Sequence, residues 1–188
     1  MKIAILGFSG SGKSTLAKHL GLSLGIPVLY LDTVQFGPGW AERDRTKALG
    51  IVAGFMLGDS WIIEGNYVSF FQNERLEQAD FIIYLDFSRL ACLRRAVRRF
   101  FQYRNKTRES MAAGCREKFD PEFAWWILYK GRTPKKRAYY AKVLEKYKDK
   151  AIVIRNQKQL DRIMRSGIGF SDLGQFVPGA TGTASIFP

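Results

Sequence analysis

Gly7-Phe8-Ser9-Gly10-Ser11-Gly12-Lys13-Ser14 decides how this chain is read. It fits G-x-x-x-x-G-K-[ST] without a mismatch, and its flanks suit that motif. Lys2–Leu6 (KIAIL) before it is a short apolar run that predicts a buried parallel strand, and Leu16, Leu20 and Leu24 after it share one helical face. Glycines in such a turn let successive backbone N–H groups converge on a phosphate, and the helix opening at Lys13 adds its dipole. Gly7, Ser9, Gly10, Ser11, Gly12, Lys13, Ser14 and Thr15 are therefore the candidate cradle for ATP. Lys13 is expected at the β- and γ-phosphates and Ser14 on Mg²⁺. The plain alternative is a glycine-rich strand-to-helix turn with no ligand.

Working outward, Pro27–Leu31, Trp61–Ile63, Phe81–Leu85 and Ala151–Ile154 are further strand candidates. Helical segments are expected at 43–57, 89–104, 121–148 and from 155 to about 165, with a loop at 105–120. Alternating short strands and helices predict an α/β fold: a five-stranded parallel sheet with helices on both faces, of the P-loop nucleoside-triphosphate-hydrolase type. Ligands in such sheets bind at the carboxyl ends of the strands. Here the second to fourth strands end in Asp32, Glu64 and Asp86. The domain is expected to span 1–165, with 166–188, poor in charge and rich in Gly, as a flexible tail.

Composition narrows the class. The chain has 188 residues, 46% apolar and 25% charged, which excludes a fibrous or disordered protein. Its longest apolar run, Ala48–Gly58, is too short to cross a bilayer, so no membrane association is expected. Two cysteines make no disulfide framework and point to a reducing, cytoplasmic setting. One histidine, His19, excludes His-based metal clusters and is expected on a helix surface. The net charge of +13 is uneven: residues 1–88 carry seven Lys/Arg against nine Asp/Glu, whereas 89–165 carry 23 against seven. So basic a half suits phosphate-bearing partners, from nucleotides to non-specifically bound nucleic acid, or else is simply a solvated face. GTPase signatures fail: Asn156-Gln157-Lys158-Gln159 is not N-K-x-D, and Glu64-Gly65 is not D-x-x-G.

Further motifs carry a family resemblance. Leu31-Asp32 with Pro38-Gly39-Trp40, Ile62-Ile63-Glu64-Gly65-Asn66-Tyr67, and Ala79-Asp80-Phe81-Ile82-Ile83-Tyr84-Leu85-Asp86 join the phosphate loop in this. So do Thr107-Arg108, Gly114-Cys115, Glu117-Lys118-Phe119-Asp120, Glu122-Phe123 and Trp126. Over about residues 1–165 the sequence resembles the adenylate-kinase-related DNA topology modulation proteins. The resemblance implies a nucleotide-kinase fold, ATP binding and a helical basic lid, roughly 89–137. The family name also asserts an effect on DNA topology, which is kept as the alternative reading to phosphoryl transfer onto a small acceptor such as a nucleoside or nucleotide.

Roles follow from both lines of reasoning. An acid beside the phosphate loop should serve Mg²⁺: Glu64 is favoured, because the third strand usually neighbours the first, and Asp86 is the alternative. Asp32 is placed to accept a proton from an acceptor or to position it, although capping a turn explains it equally. Arg94/Arg98 and Arg95/Arg99 are i,i+4 like-charge pairs whose repulsion an anion would relieve. By resemblance Arg95 and Arg99 are the first candidates to meet the transferring phosphate, with Arg108 from the lid loop and Arg132 or Arg137 from the following helix. Phe100, Phe101, Tyr103, Trp125 and Trp126 could stack bases, but helical spacing makes core positions the better expectation.

Overall fold

The computed structural model describes residues 1–104, 108, 110–112, 114–115 and 117–165. The expected tail and part of the expected 105–120 loop lie outside the described residues. Five parallel strands, β1 (Lys2–Gly7), β2 (Val28–Tyr30), β3 (Trp61–Glu64), β4 (Phe81–Leu85) and β5 (Ala151–Ile154), form one sheet in the order β2-β3-β1-β4-β5. β1 is thus central, with Ile5 level with Glu64 on one side and with Ile83 on the other. The order places Glu64 and Asp86 on opposite flanks of the phosphate loop.

The alternation along β1 explains the two-faced core. Ile3 and Ile5 pack with Leu16 and Leu20 of α1 (Lys13–Leu24), Cys92 and Ala96 of α5 (Arg89–Gln102), and Leu160 and Ile163 of α8 (Gln157–Arg165). Ala4 and Leu6 face the other way, toward Leu31 and Val34 of α2 (Leu31–Gln35), Val52 of α3 (Arg45–Met56), Leu76 of α4 (Gln72–Gln78) and Tyr140 of α7 (Pro134–Lys146). A strand buried on both faces reads as a continuous apolar run, as 2–6 does.

Three expectations need correction. Residues 121–148 are not one helix: α6 (Pro121–Leu128) and α7 are separated by a 3-10 turn, Lys130–Arg132. Pro134 lacks the N–H that a continuous helix would use and restrains Thr133, whose side chain instead caps α7 by accepting from Lys136 N. Gly131 fits that turn because a Cβ there would lie 2.8 Å from the Trp126 carbonyl oxygen. The second strand also stops at Tyr30, so Asp32 sits in the first turn of a short helix rather than at a strand end. Finally, Phe101, Trp125 and Trp126 are exposed rather than in the core.

Candidate active site

The phosphate loop is shaped by close approach. Gly7 and Gly10 have φ of +146° and +78°, and a Cβ on either would lie within 2.6 Å of a carbonyl oxygen, of Leu85 and Cys92 respectively. These are conformations and contacts that only glycine meets without strain. Arg95 braces the loop from behind: its guanidinium donates to the Ser11 carbonyl and to Gln157 Oε1, and stacks 3.8 Å from the Phe87 ring centroid.

At the front of the loop Ser14 Oγ donates to Glu64 Oε2 at 3.0 Å, while Lys13 Nζ lies 3.6 Å from Glu64 Oε1. Glu64 is 4% exposed. Burial pushes its carboxyl above the ordinary carboxylate range, and the charge of Asp32 adds to that, while Lys13 and Ser14 pull the other way. A hydroxyl and a carboxylate beside a phosphate cradle are hard oxygen donors of the kind Mg²⁺ takes, so the residues present fit the ion. Among the described residues no group of three His, Cys, Asp or Glu side chains could hold a metal. A cation here would therefore complete its shell from phosphate and water. Asp86 lies across β1 from Glu64. It is half-buried, and its charge acts on Tyr84 and Arg132.

Two residues that sequence reasoning left without a role build the loop after β3. Asn66 clasps the phosphate loop, with Oδ1 accepting from Gly7 N at 3.1 Å and Nδ2 donating to Gly7 O at 2.7 Å. Arg75, fully buried, donates to the carbonyls of Phe70, Tyr67 and Gly65 and so staples the 65–71 loop into shape. Its burial lowers its pKa to about 10. Nothing in the local sequence distinguishes Arg75 from a surface arginine. Tyr67 follows Asn66 and donates its hydroxyl to Asp32 Oδ1 at 2.7 Å. Burial, with Asp32 beside it, raises the Tyr67 pKa well above the ordinary phenol, so the hydroxyl remains a donor.

The candidate arginines separate. Arg99 Nε and Arg108 Nε each donate to a different oxygen of Glu117 at 2.7 Å, which joins α5 to Arg108 through a carboxylate that is 5% exposed. Burial, and then the charge of Arg108, lowers the Arg99 pKa, and Glu117 opposes both. Glu117 was visible in sequence only as part of a motif. Arg132 donates to Phe87 O and Cys92 Sγ and lies 3.9 Å from the Phe8 ring centroid. The structure brings Lys13, Ser14, Asp32 and Glu64 together, pairs Arg99 with Arg108, and sets Arg95 behind the loop. Thr15 is exposed and His19 is half-buried in α1.

Between the phosphate loop, the 65–68 loop and the α6–α7 segment lies a cavity of about 800 Å³. Its lining includes Phe8, Ser9, Lys13, Asp32, Glu64 and Tyr67, together with Trp126, Lys135, Lys136, Tyr139 and Tyr140. No helix of the described residues is long and apolar enough to cross a membrane.

No family model matches the chain, and no curated protein matches it. Among solved structures it is similar to a gluconokinase from Sinorhizobium meliloti 1021, with a TM-score of 0.52 and 16% identity over 94% of this chain and 93% of that one. A deoxyadenosine kinase from M. mycoides aligns with a TM-score of 0.49 and 18% identity, over 87% of this chain and 96% of that one. A shikimate kinase from Bacteroides thetaiotaomicron aligns at 0.45 and 14%, over 87% and 94%. At 16% identity the likeness to the gluconokinase concerns architecture, and with the sheet order and the phosphate-loop motif it shows that this chain has the P-loop kinase-like α/β fold.

Proposed function

We propose that the protein is an ATP-dependent phosphotransferase of the nucleotide- and small-molecule-kinase type. The observation that carries this reading is the contact of Ser14 and Lys13 with the buried Glu64, where Lys13 and Glu64 line a cavity large enough for a second substrate. In this scheme the backbone from Gly7 to Ser14, with Thr15, wraps the ATP phosphates and Lys13 spans the β- and γ-phosphates. Ser14 and Glu64 are the groups that would hold Mg²⁺, with Asp86 as the second acid on the far flank. The ion would supply charge neutralisation at the β- and γ-oxygens. Lys13 leaves Glu64 for the phosphates, and Ser14 turns its oxygen outward. Arg99 and Arg108, held as a pair, meet the charge on the transferring group, and Arg95 keeps the loop in shape around it.

The basic half was compatible with nucleic acid as well. Four of its arginines favour the phosphotransferase reading, because Arg95, Arg99, Arg108 and Arg132 bond internal partners, whereas Arg94 and Arg98 on the same helix face outward. The test is ATP turnover with Mg²⁺ in wild type and Lys13→Ala. Loss of an ammonium from a partly dry site should lower turnover at least ~100-fold. Equal turnover in the two proteins would end this reading.

A further inference from the structure

We infer that the acceptor is an anion, and that Arg132, Lys135 and Lys136, where α7 begins, form the subsite that holds its carboxylate or phosphate. The inference rests on the phosphotransferase reading above and names its acceptor class.

Two segments bring cations to the cavity. From the phosphate loop Phe8, Ser9 and Lys13 line it, whereas Gly10, Gly12 and Ser14 do not. In the reading above the body of the nucleotide therefore lies outside, and the γ-phosphate held by Lys13 opens into the cavity. Arg132, Lys135 and Lys136 come from the segment after α6 and share the cavity with Trp126, Tyr139 and Tyr140. Charge is concentrated there, because between Glu122 and Glu145 stand six Lys or Arg and no acid. None of the three cations pairs with a carboxylate among the described residues. The two terminal nitrogens of Arg132 donate to the Phe87 carbonyl and to Cys92 Sγ, a thiol that burial holds above its ordinary pKa and so keeps neutral. Arg132 is 7% exposed, its Nε has no partner, and Asp86 reaches it through its field alone. Lys136 Nζ donates to the Lys130 carbonyl at 3.0 Å and rests 4.1 Å from the Trp126 ring centroid, both neutral partners. Lys135 is exposed and has no partner among the described residues. A buried cation with only neutral partners is costly, and an oxyanion beside it removes that cost.

Position on the helix points the same way. Pro134 opens α7, so Lys135 and Lys136 fall in the first turn of a 13-residue helix that has no acid there. The helix dipole opposes cations at that end and favours an anion. Thr133 Oγ already accepts from Lys136 N, so the lysine and arginine side chains, rather than that amide, are the groups left for an anion. The two acids of the cavity are grouped elsewhere: Glu64 contacts Lys13 and Ser14, and the charge of Asp32 acts on Glu64. Their repulsion turns the charged end of an acceptor toward α7 and the remainder toward the phosphate loop. Trp126, Tyr139 and Tyr140 supply apolar faces for the body of the molecule.

The experiment uses the full chain with γ-labelled ATP and Mg²⁺ against acceptors paired by charge. Nucleoside 5′-monophosphates are set against nucleosides, and cyclic polyhydroxy carboxylic acids against cyclic polyols. The first pair reads a phosphate and the second a carboxylate, which separates the two sources of the anion. Label is expected on the anionic member of one pair, with kcat/KM at least ~100-fold above its neutral counterpart, the scale of two hydrogen bonds to a charge. Lys135→Ala should raise the KM for that acceptor roughly tenfold, the scale of one such bond, with kcat, the KM for ATP and the thermal midpoint changing less. Lys142→Ala removes the same charge from an exposed position on α7 outside the cavity, and should leave the acceptor KM within about twofold. Equal use of neutral and anionic members would overturn the inference. So would a Lys135→Ala effect on the KM for ATP instead of the acceptor, or an equal rise in Lys142→Ala, which would make the effect one of general field. No labelled acceptor in any set despite Lys13-dependent ATP binding would overturn it too, and there the nucleotide site survives. ATP binding that ignores Lys13 would instead remove the phosphotransferase reading on which the inference rests.

Discussion

In the proposed function the phosphate loop and the arginine cluster both serve phosphate, but they are built on opposite principles. The loop, 7–14, is a backbone device: glycine conformations, close approach to Leu85 and Cys92, and N–H groups aimed by chain geometry. The cluster is a side-chain device, in which Arg95, Arg99, Arg108 and Arg132 depend on Ser11, Glu117, Phe87 and Cys92, some brought from distant parts of the chain. A backbone device is written in consecutive residues, so it is legible locally. A side-chain device is defined by partners, so sequence shows its charge and hides its wiring.

The largest expected effect comes from an arginine with no ligand role at all. Arg75→Ala removes a donor from three carbonyls, of which only that of Tyr67 keeps another, from Phe70 N, and opens a cavity, so stability should fall by about 3–5 kcal/mol. Denaturant unfolding measures it, and a loss below about 1 kcal/mol, the size of a typical single hydrogen bond, would mean that the 65–71 loop holds itself. Next is Arg99→Ala, which should lower phosphoryl transfer by ~100-fold while ATP affinity changes little, as expected for a contact made in the transition state. Equal losses in transfer and affinity would make the pair a simple anion holder. Smaller again is Gly25→Ala. Gly25 ends α1 at φ +65° with open space around its Cβ position, so only strain is at stake, about 1 kcal/mol by thermal unfolding. Smallest is Arg94→Ala, an exposed residue, with transfer within about twofold of wild type. If nucleic acid does bind, this variant should reduce the salt slope of log affinity by roughly one unit, and a collapse of transfer here would erase the contrast between inward and outward arginines.

The contrast also explains how far the sequence could be read. Five strands, their parallel order of use and the helix after the loop follow from apolar runs and glycine placement, and Glu64 could be preferred over Asp86 from strand adjacency. The break at 129–133 was marked by Gly131 and Pro134, yet the apolar run through Trp125, Trp126 and Ile127 looked continuous. The α2 turn was hidden because Leu31 reads equally as strand or helix in so short a segment. Arg75, Asn66 and Glu117 have no local signature, since each acts on a carbonyl, an amide or a guanidinium whose position is set by tertiary packing. Among the arginines, composition pointed to an anion but could not sort Arg95, bonded to the Ser11 carbonyl, from Arg99, paired through Glu117.

The double clasp of Asn66 on Gly7 has a consequence for binding order. It joins the segment carrying Tyr67 to the first residue of the phosphate loop through two hydrogen bonds to one residue, one to its N–H and one to its C=O. Movement of one segment is therefore transmitted to the other over a single side chain. A molecule that settles against Tyr67 would stiffen the cradle, and a nucleotide in the cradle would stiffen the wall that receives that molecule. By thermodynamic reciprocity each would tighten the other to the same degree. The two ligands would then bind in either order with mutual synergy, and Asn66→Ala would make them independent.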